Sequence, residues 1–104
     1  MTLLTKEELI ENIKKLLDKE ETNFNCIDTS AITDMSNLFR SLDISTTIDI
    51  SYWDVSNVEC MTCMFYKSKF GGDISKWDVG NVKNMEGIFL QSPLEKNPPK
   101  WYKK

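Results

Sequence analysis

The chain repeats itself, and this limits its fold more than any other feature. Asp49-Ile50-Ser51-Tyr52-Trp53-Asp54-Val55-Ser56-Asn57-Val58 returns as Asp73-Ile74-Ser75-Lys76-Trp77-Asp78-Val79-Gly80-Asn81-Val82, an offset of 24 residues. Met61 and Phe65 answer Met85 and Phe89 at the same offset. A degenerate earlier copy runs through Phe24, Ile27, Thr29, Ile32, Met35 and Phe39, 26 residues before Ile50, Trp53, Val55, Val58, Met61 and Phe65. Trp101 lies 24 residues after Trp77 and begins a fourth copy. A unit of this length cannot bury its apolar face alone, so neighbours must stack. About three units are the usual minimum for a stable stack, which is what this chain contains.

Spacing within the unit predicts its geometry. Ile50, Trp53 and Val55, like Ile74, Trp77 and Val79, follow an apolar-x-x-apolar-x-apolar pattern, that of a short strand with its apolar residues turned to a shared core. Val58, Met61 and Phe65, then Val82, Met85 and Phe89, continue with gaps of three and four, the mark of one helical face. Ser56 or Asn57, and Asn81 in the next unit, stand where a helix cap belongs. The expected fold class is therefore α/β: a small leucine-rich-repeat-like solenoid of about three strand–helix units.

The ends are expected to be covered, because a solenoid leaves its end faces open. Residues 1–22 are expected to form an N-terminal capping helix, 23–92 three repeats, and 93–104 a C-terminal cap, in a single domain. Leu9, Ile10, Ile13, Leu16 and Leu17 make one apolar stripe over Leu4 to Glu21. Thr5 followed by Glu8 is a capping box, and Leu4 can pack on Leu9 as a staple. Pro93, Pro98 and Pro99 are expected to exclude helix from the tail, leaving Trp101 and Tyr102 to lie over the last edge. Lys96, Lys100, Lys103 and Lys104 would keep that end soluble or form a basic patch.

Composition removes several function classes. The 104 residues contain no histidine, which excludes Ser-His-Asp and Cys-His nucleophile systems and His-ligated metals. A net charge of −3 is a poor start for holding a nucleic acid backbone, so no nucleic acid partner is expected. No apolar run approaches the roughly 18 residues of a membrane helix, and no leader opens the chain, so a cytoplasmic protein without membrane contact is expected. Surface or secreted placement would follow if the chain were part of a longer exported protein.

The pattern Asp-Ile-Ser-x-Trp-Asp-Val-x-Asn-Val-x-x-Met-x-x-[Met/Ile]-Phe, from Asp49 to Phe65 and again from Asp73 to Phe89, resembles the BspA-like leucine-rich-repeat family. That family is also described as the mycoplasma lipoprotein-associated repeat domain. With the degenerate unit the resemblance covers roughly residues 23 to 102, leaving the N-terminal helix outside it. It implies a repeat solenoid and a role in binding host or neighbouring-cell molecules at a bacterial surface. Against that pattern stand the short chain, the missing leader and lipidation cysteine, and the chain's own capping helix.

Residues between the inward positions should align into outward columns with strand-like spacing of about 4.7–4.9 Å. Cys26, Tyr52, Lys76 and Lys100 form one; Asp28, Asp54, Asp78 and Tyr102 a second; Ser30, Ser56 and Gly80 a third. The candidate partner-binding residues are Tyr52, Asp54, Ser56, Lys76, Asp78, Lys100 and Tyr102. The variable column holding Tyr52 is the better source of specificity, because residues repeated in every unit usually serve the repeat itself. The aspartates are expected chiefly to bond turn N–H groups rather than to bind calcium or act as an acid–base pair. Trp53, Trp77 and Trp101 are expected in the core, with Met35, Met61, Met64 and Met85 as adaptable filling. Cys60-x-x-Cys63 has zinc-like spacing, but Cys26 alone cannot complete a tetrahedron, so neither metal nor cofactor is expected.

These readings converge on a non-catalytic protein–protein interaction module: a small intracellular binding or inhibitor protein of the immunity or phage-antagonist kind, with a protein partner. The alternatives are a surface adhesin or a fragment of one, and a hydrolase using Asp54 or Asp78. A monomer or an end-to-end dimer would be compatible with the stack.

Overall fold

The computed structural model describes residues 4–43 and 48–102. Helix α1 spans Lys6–Asp18 and begins with the complete capping box. The Glu8 N–H donates to Thr5 Oγ1 at 3.2 Å, and the Thr5 N–H donates to Glu8 Oε1 at 3.0 Å. Two of the four donors that every helix start leaves open are thereby satisfied. Leu9 and Ile13 are buried in the core, and Leu4, Leu16 and Leu17 pack beside them. Lys6 Nζ reaches Asp34 Oδ2 at 3.3 Å and Ser36 Oγ at 3.1 Å, tying the helix to the first repeat unit. Lys103 and Lys104, expected in the C-terminal basic end, lie outside the described residues.

Beyond α1 the expected strand–helix units are not formed. Among the described residues, the repeats hold neither an extended strand nor a helix, and three isolated parallel bridges replace a sheet: Asn23 with Asp49, Asp34 with Cys60, and Cys60 with Asn84. The α/β leucine-rich-repeat class is therefore incorrect for this chain. The described residues of units 1 (23–48), 2 (49–72) and 3 (73–92) instead form coils of successive turns, stacked through their backbones.

In the first half of each unit, short polar side chains prevent an extended strand. Asp49 Oδ1 accepts from the Ser51 N–H at 3.0 Å and Oγ at 2.7 Å, and Asp54 Oδ1 likewise accepts from Ser56 at 3.0 and 2.5 Å. Each such Asx turn bends the chain at once. Backbone turns follow, from the Trp53 N–H to the Ile50 carbonyl and from the Val58 N–H to the Val55 carbonyl. The same turns recur at Asp28, Asp73 and Asp78. Ile50, Trp53 and Val55 still reach the core, but from the corners of a coil.

In the second half, the gaps of three and four come from consecutive turns. The Met64, Tyr66 and Ser68 N–H groups donate back to the carbonyls of Met61, Cys63 and Phe65. The alternate N–H groups, those of Met61, Cys63, Phe65 and Lys67, leave the unit for the carbonyls of Asn84, Glu86, Ile88 and Leu90 at 2.8–2.9 Å. Unit 1 makes the same bonds to unit 2, from Met35, Asn37, Phe39 and Ser41 to Cys60, Thr62, Met64 and Tyr66. A helix would send every N–H to its own fourth-previous carbonyl; here half of them bind the next unit. The break from helix occurs at residues with positive φ, spaced four apart: Asn37 and Ser41, Cys63 and Lys67, Gly87 and Gln91. Each is a left-handed residue that ends a helical turn. Ser56 and Asn57 accordingly cap no helix; the Asn57 and Asn81 amides donate to the Ser30 and Ser56 carbonyls of the preceding unit at 2.7 and 2.6 Å.

Aromatic ladders lock the stack. Trp53, Trp77 and Trp101 each donate Nε1–H to a carbonyl one unit back: Phe24 at 2.9 Å, Ile50 at 3.1 Å and Ile74 at 2.8 Å. Phe39, Phe65 and Phe89 stack with centroids 5.6 and 5.9 Å apart, and Phe70 inserts 4.8 Å from Phe65. Among the described residues every buried side-chain nitrogen and oxygen has a partner. Val55, Val58 and Met61 are buried, whereas their successors Val79, Val82 and Met85 are only partly so. The proline-rich tail does contain a helix: α2, Pro93–Lys96, has Pro93 in its first turn. The missing proline N–H has no intrahelical role there, so helix is not excluded.

Candidate functional site

The repeat offset places the outward residues over one another, and their surroundings separate them by role. Tyr52 stands 74% exposed, well above Leu90, the other large hydrophobic residue left exposed among the described residues, at 44%. Its backbone N–H donates to Asn25 Oδ1 at 2.9 Å, which holds the base of the side chain against unit 1. Lys76 Nζ sits 5.8 Å from the Tyr52 ring centroid, an exposed cation–π contact of about 0.5–1 kcal/mol. Cys26 and Lys100, one unit away on either side, are exposed as well.

The aspartate column is engaged in turns. Asp54 and Asp28 are held below the usual carboxylate range, chiefly by the hydroxyls of Ser56 and Ser30 and then by those residues' N–H groups. The charge of Asp28 raises Asp54 slightly, which places the two carboxylates within electrostatic reach of each other. Asp78 accepts the Gly80 N–H at 3.1 Å. Ser56 gives its hydroxyl proton to Asp54, so it presents little that is free to a partner. Tyr102 departs from its column: its ring meets the edge of Phe89 at 5.0 Å and is partly buried at the end of the stack.

The apolar repeat positions divide by depth. Ile50, Trp53, Val55, Val58, Met61, Phe65, Ile74, Trp77 and Phe89 are buried; Val79, Val82 and Met85 line the last, more open face. Cys26, Cys60 and Cys63 are free thiols, with Cys60 Sγ 3.3 Å from Thr62 Oγ1. Among the described residues, no three His, Cys, Asp or Glu side chains are grouped to hold a metal ion.

Sequence reasoning missed a groove of about 440 Å³ between α1 and unit 1, lined by Lys15, Leu16, Lys19, Ile27, Asp28 and Ala31. It adjoins the outward columns at Cys26 and Asp28. The signal for it was faint: Leu16 belongs to the apolar stripe of α1 but is not fully covered.

A family model described as Mycoplasma protein of unknown function, DUF285, matches residues 7–103. The chain belongs to this family. No curated protein and no solved structure matches it. The DUF285 match takes in nearly all of α1 as well as the repeats, so the helix is part of the family domain. In this DUF285 chain the units are turn-built, and the leucine-rich-repeat label carried by the sequence resemblance does not describe them. No helix among the described residues is long and apolar enough to cross a membrane.

Proposed function

We propose that this DUF285 chain is a non-catalytic protein-binding module that presents the Tyr52 face of its stack to a protein partner. The observation that carries the reading is Tyr52 itself, a large, nearly free aromatic side chain anchored at its backbone and flanked by Lys76. Exposed tyrosines with a fixed base are frequent anchors of protein interfaces. Little favours the alternative of a hydrolase using Asp54 or Asp78, because both carboxylates are exposed and engaged in turns, Asp54 with Ser56 and Asp78 with the Gly80 N–H, outside the dry pocket that acid–base chemistry needs. An odd number of cysteines favours a reducing compartment, and so an intracellular binder or inhibitor. Kinship with the BspA-like proteins belongs to this proposal at the level of the Asp-Ile-Ser-x-Trp-Asp-Val pattern and of binding, not of fold.

The test compares wild type with Tyr52→Ala and Lys76→Glu in quantitative affinity capture from the native host. Both side chains are exposed, so both variants should keep the wild-type melting temperature. A specific partner should be lost by about tenfold or more from Tyr52→Ala, the effect of an anchor residue. A partner retained equally by both variants would place the binding surface elsewhere.

A further inference from the structure

Among the described residues, unit 3 leaves an edge that two earlier interfaces show how to fill. In units 1 and 2 every second N–H of the latter half crosses to the next unit. The corresponding groups of unit 3, the N–H of Met85, Gly87, Phe89 and Gln91, find no acceptor among the described residues. The Lys83 carbonyl is also open, although its counterparts, the carbonyls of Thr33 and Glu59, accept from the N–H groups of Glu59 and Lys83. Gly87 and Gln91 already have the positive φ of the paired units, at 67° and 60°, so the edge is shaped in advance. Beside it Val82 and Met85 are only partly covered, whereas Val58 and Met61 are fully buried by unit 3. A following unit is begun there: Trp101 makes the ladder bond to the Ile74 carbonyl, while Tyr102 turns onto the Phe89 ring instead of keeping its column.

We propose that this edge binds a polypeptide segment in parallel register, coiled like the second half of a repeat unit. The segment supplies carbonyls at every second residue for the four N–H groups, one N–H for the Lys83 carbonyl, and apolar side chains over Val82 and Met85. An open row of backbone groups is a ready template for another chain, and main-chain pairing with side-chain pockets is an established recognition mode. The occupant is an uncapped segment rather than a second intact copy. Two such edges facing each other would set donors against donors. The complementary carbonyls of a second copy, on Asp34 to Arg40, lie at the end where its own α1 is tied down by Lys6. This surface is separate from the Tyr52 face, and its test is independent of that reading.

The probe is a synthetic peptide of residues 56–70, whose Cys60, Thr62, Met64 and Tyr66 carbonyls accept from unit 1 in the intact chain. It is added under reducing conditions to the full-length protein, and amide exchange is followed by NMR. Saturable binding should slow exchange at Met85, Gly87, Phe89 and Gln91 by about tenfold or more, and a shuffled peptide should do nothing. Met85→Lys should weaken the peptide by about tenfold or more; the shuffled-peptide comparison in wild type stands even if that variant unfolds. Absence of binding, equal binding of the shuffled peptide, or protection away from these four amides overturns the proposal. So does concentration-dependent protection of the same amides in the protein alone, which would make a second copy the occupant.

Discussion

At the scale of single residues, the fold depends on aspartates that bend the chain. Asp28, Asp49, Asp54 and Asp73 are each held below the ordinary carboxylate range, first by a serine hydroxyl and then by the same serine's N–H. At Asp34 partial burial pushes upward, and the bonds from Ser36 with the charge of Lys6 outweigh it. A carboxylate lowered in the folded state stabilises that state above its unfolded value, and the contribution is lost as pH falls through the folded value. The protein should therefore lose stability as the pH drops below about 4. Replacing Asp49, Asp54 and Asp73 together with asparagine keeps an acceptor oxygen in each turn and removes the titration. Urea midpoints at pH 6 and pH 3 should then differ less in the triple variant than in wild type. An equal drop in both would mean that the turn aspartates do not carry the acid sensitivity. The stacking of Tyr52 near Lys76 was legible from the repeat offset alone. Tyr102 was not, because the offset sets it in line with Asp78 while the edge of Phe89 draws it inward.

At the scale of elements, α1 and the units differ in how clearly their sequences declare them. The capping box of Thr5 and Glu8 and the stripe through Leu9 and Ile13 agree on one structure, and that structure is present. In the units, gaps of three and four between Val58, Met61 and Phe65 are shared by a helix and by a chain of turns. Periodicity alone cannot separate them. The deciding signals were residue types: Asp-x-Ser at the start of each half-turn, and Asn37, Ser41 and Gly87 among the positions that adopt positive φ. The two geometries predict opposite effects of glycine. In a helix interior, Asn37→Gly and Cys63→Gly would destabilise by up to about 1 kcal/mol. At φ of 59° and 55° they should instead stabilise, by up to about 1 kcal/mol, by relieving left-handed strain. Chemical denaturation of the two variants decides it, and a loss of stability in both would restore the helical reading.

At the scale of the whole molecule, three turn-built units hold together because each half-satisfies itself and leaves the remainder to its neighbour. Odd-numbered N–H groups of the latter half cross between units, while even-numbered ones close turns within a unit. The offset of the repeat made the stacking legible, because these crossing bonds join residues 23 or 25 apart, one short of the repeat in each case. The kind of coil was not, because a backbone that pairs across units leaves no helical or strand pattern of its own. Among the described residues, the two faces of the stack are therefore unlike: unit 1 carries free carbonyls beside α1, and unit 3 carries free N–H groups. Native-state amide exchange reads the arrangement directly. Met35, Asn37, Phe39, Ser41, Met61, Cys63, Phe65 and Lys67 should exchange slowly, limited by opening of the stack, and Met85, Gly87, Phe89 and Gln91 should exchange rapidly in the free protein. Equal exchange of these two sets, or slow exchange running continuously through consecutive residues as in a helix, would contradict the turn-built stack.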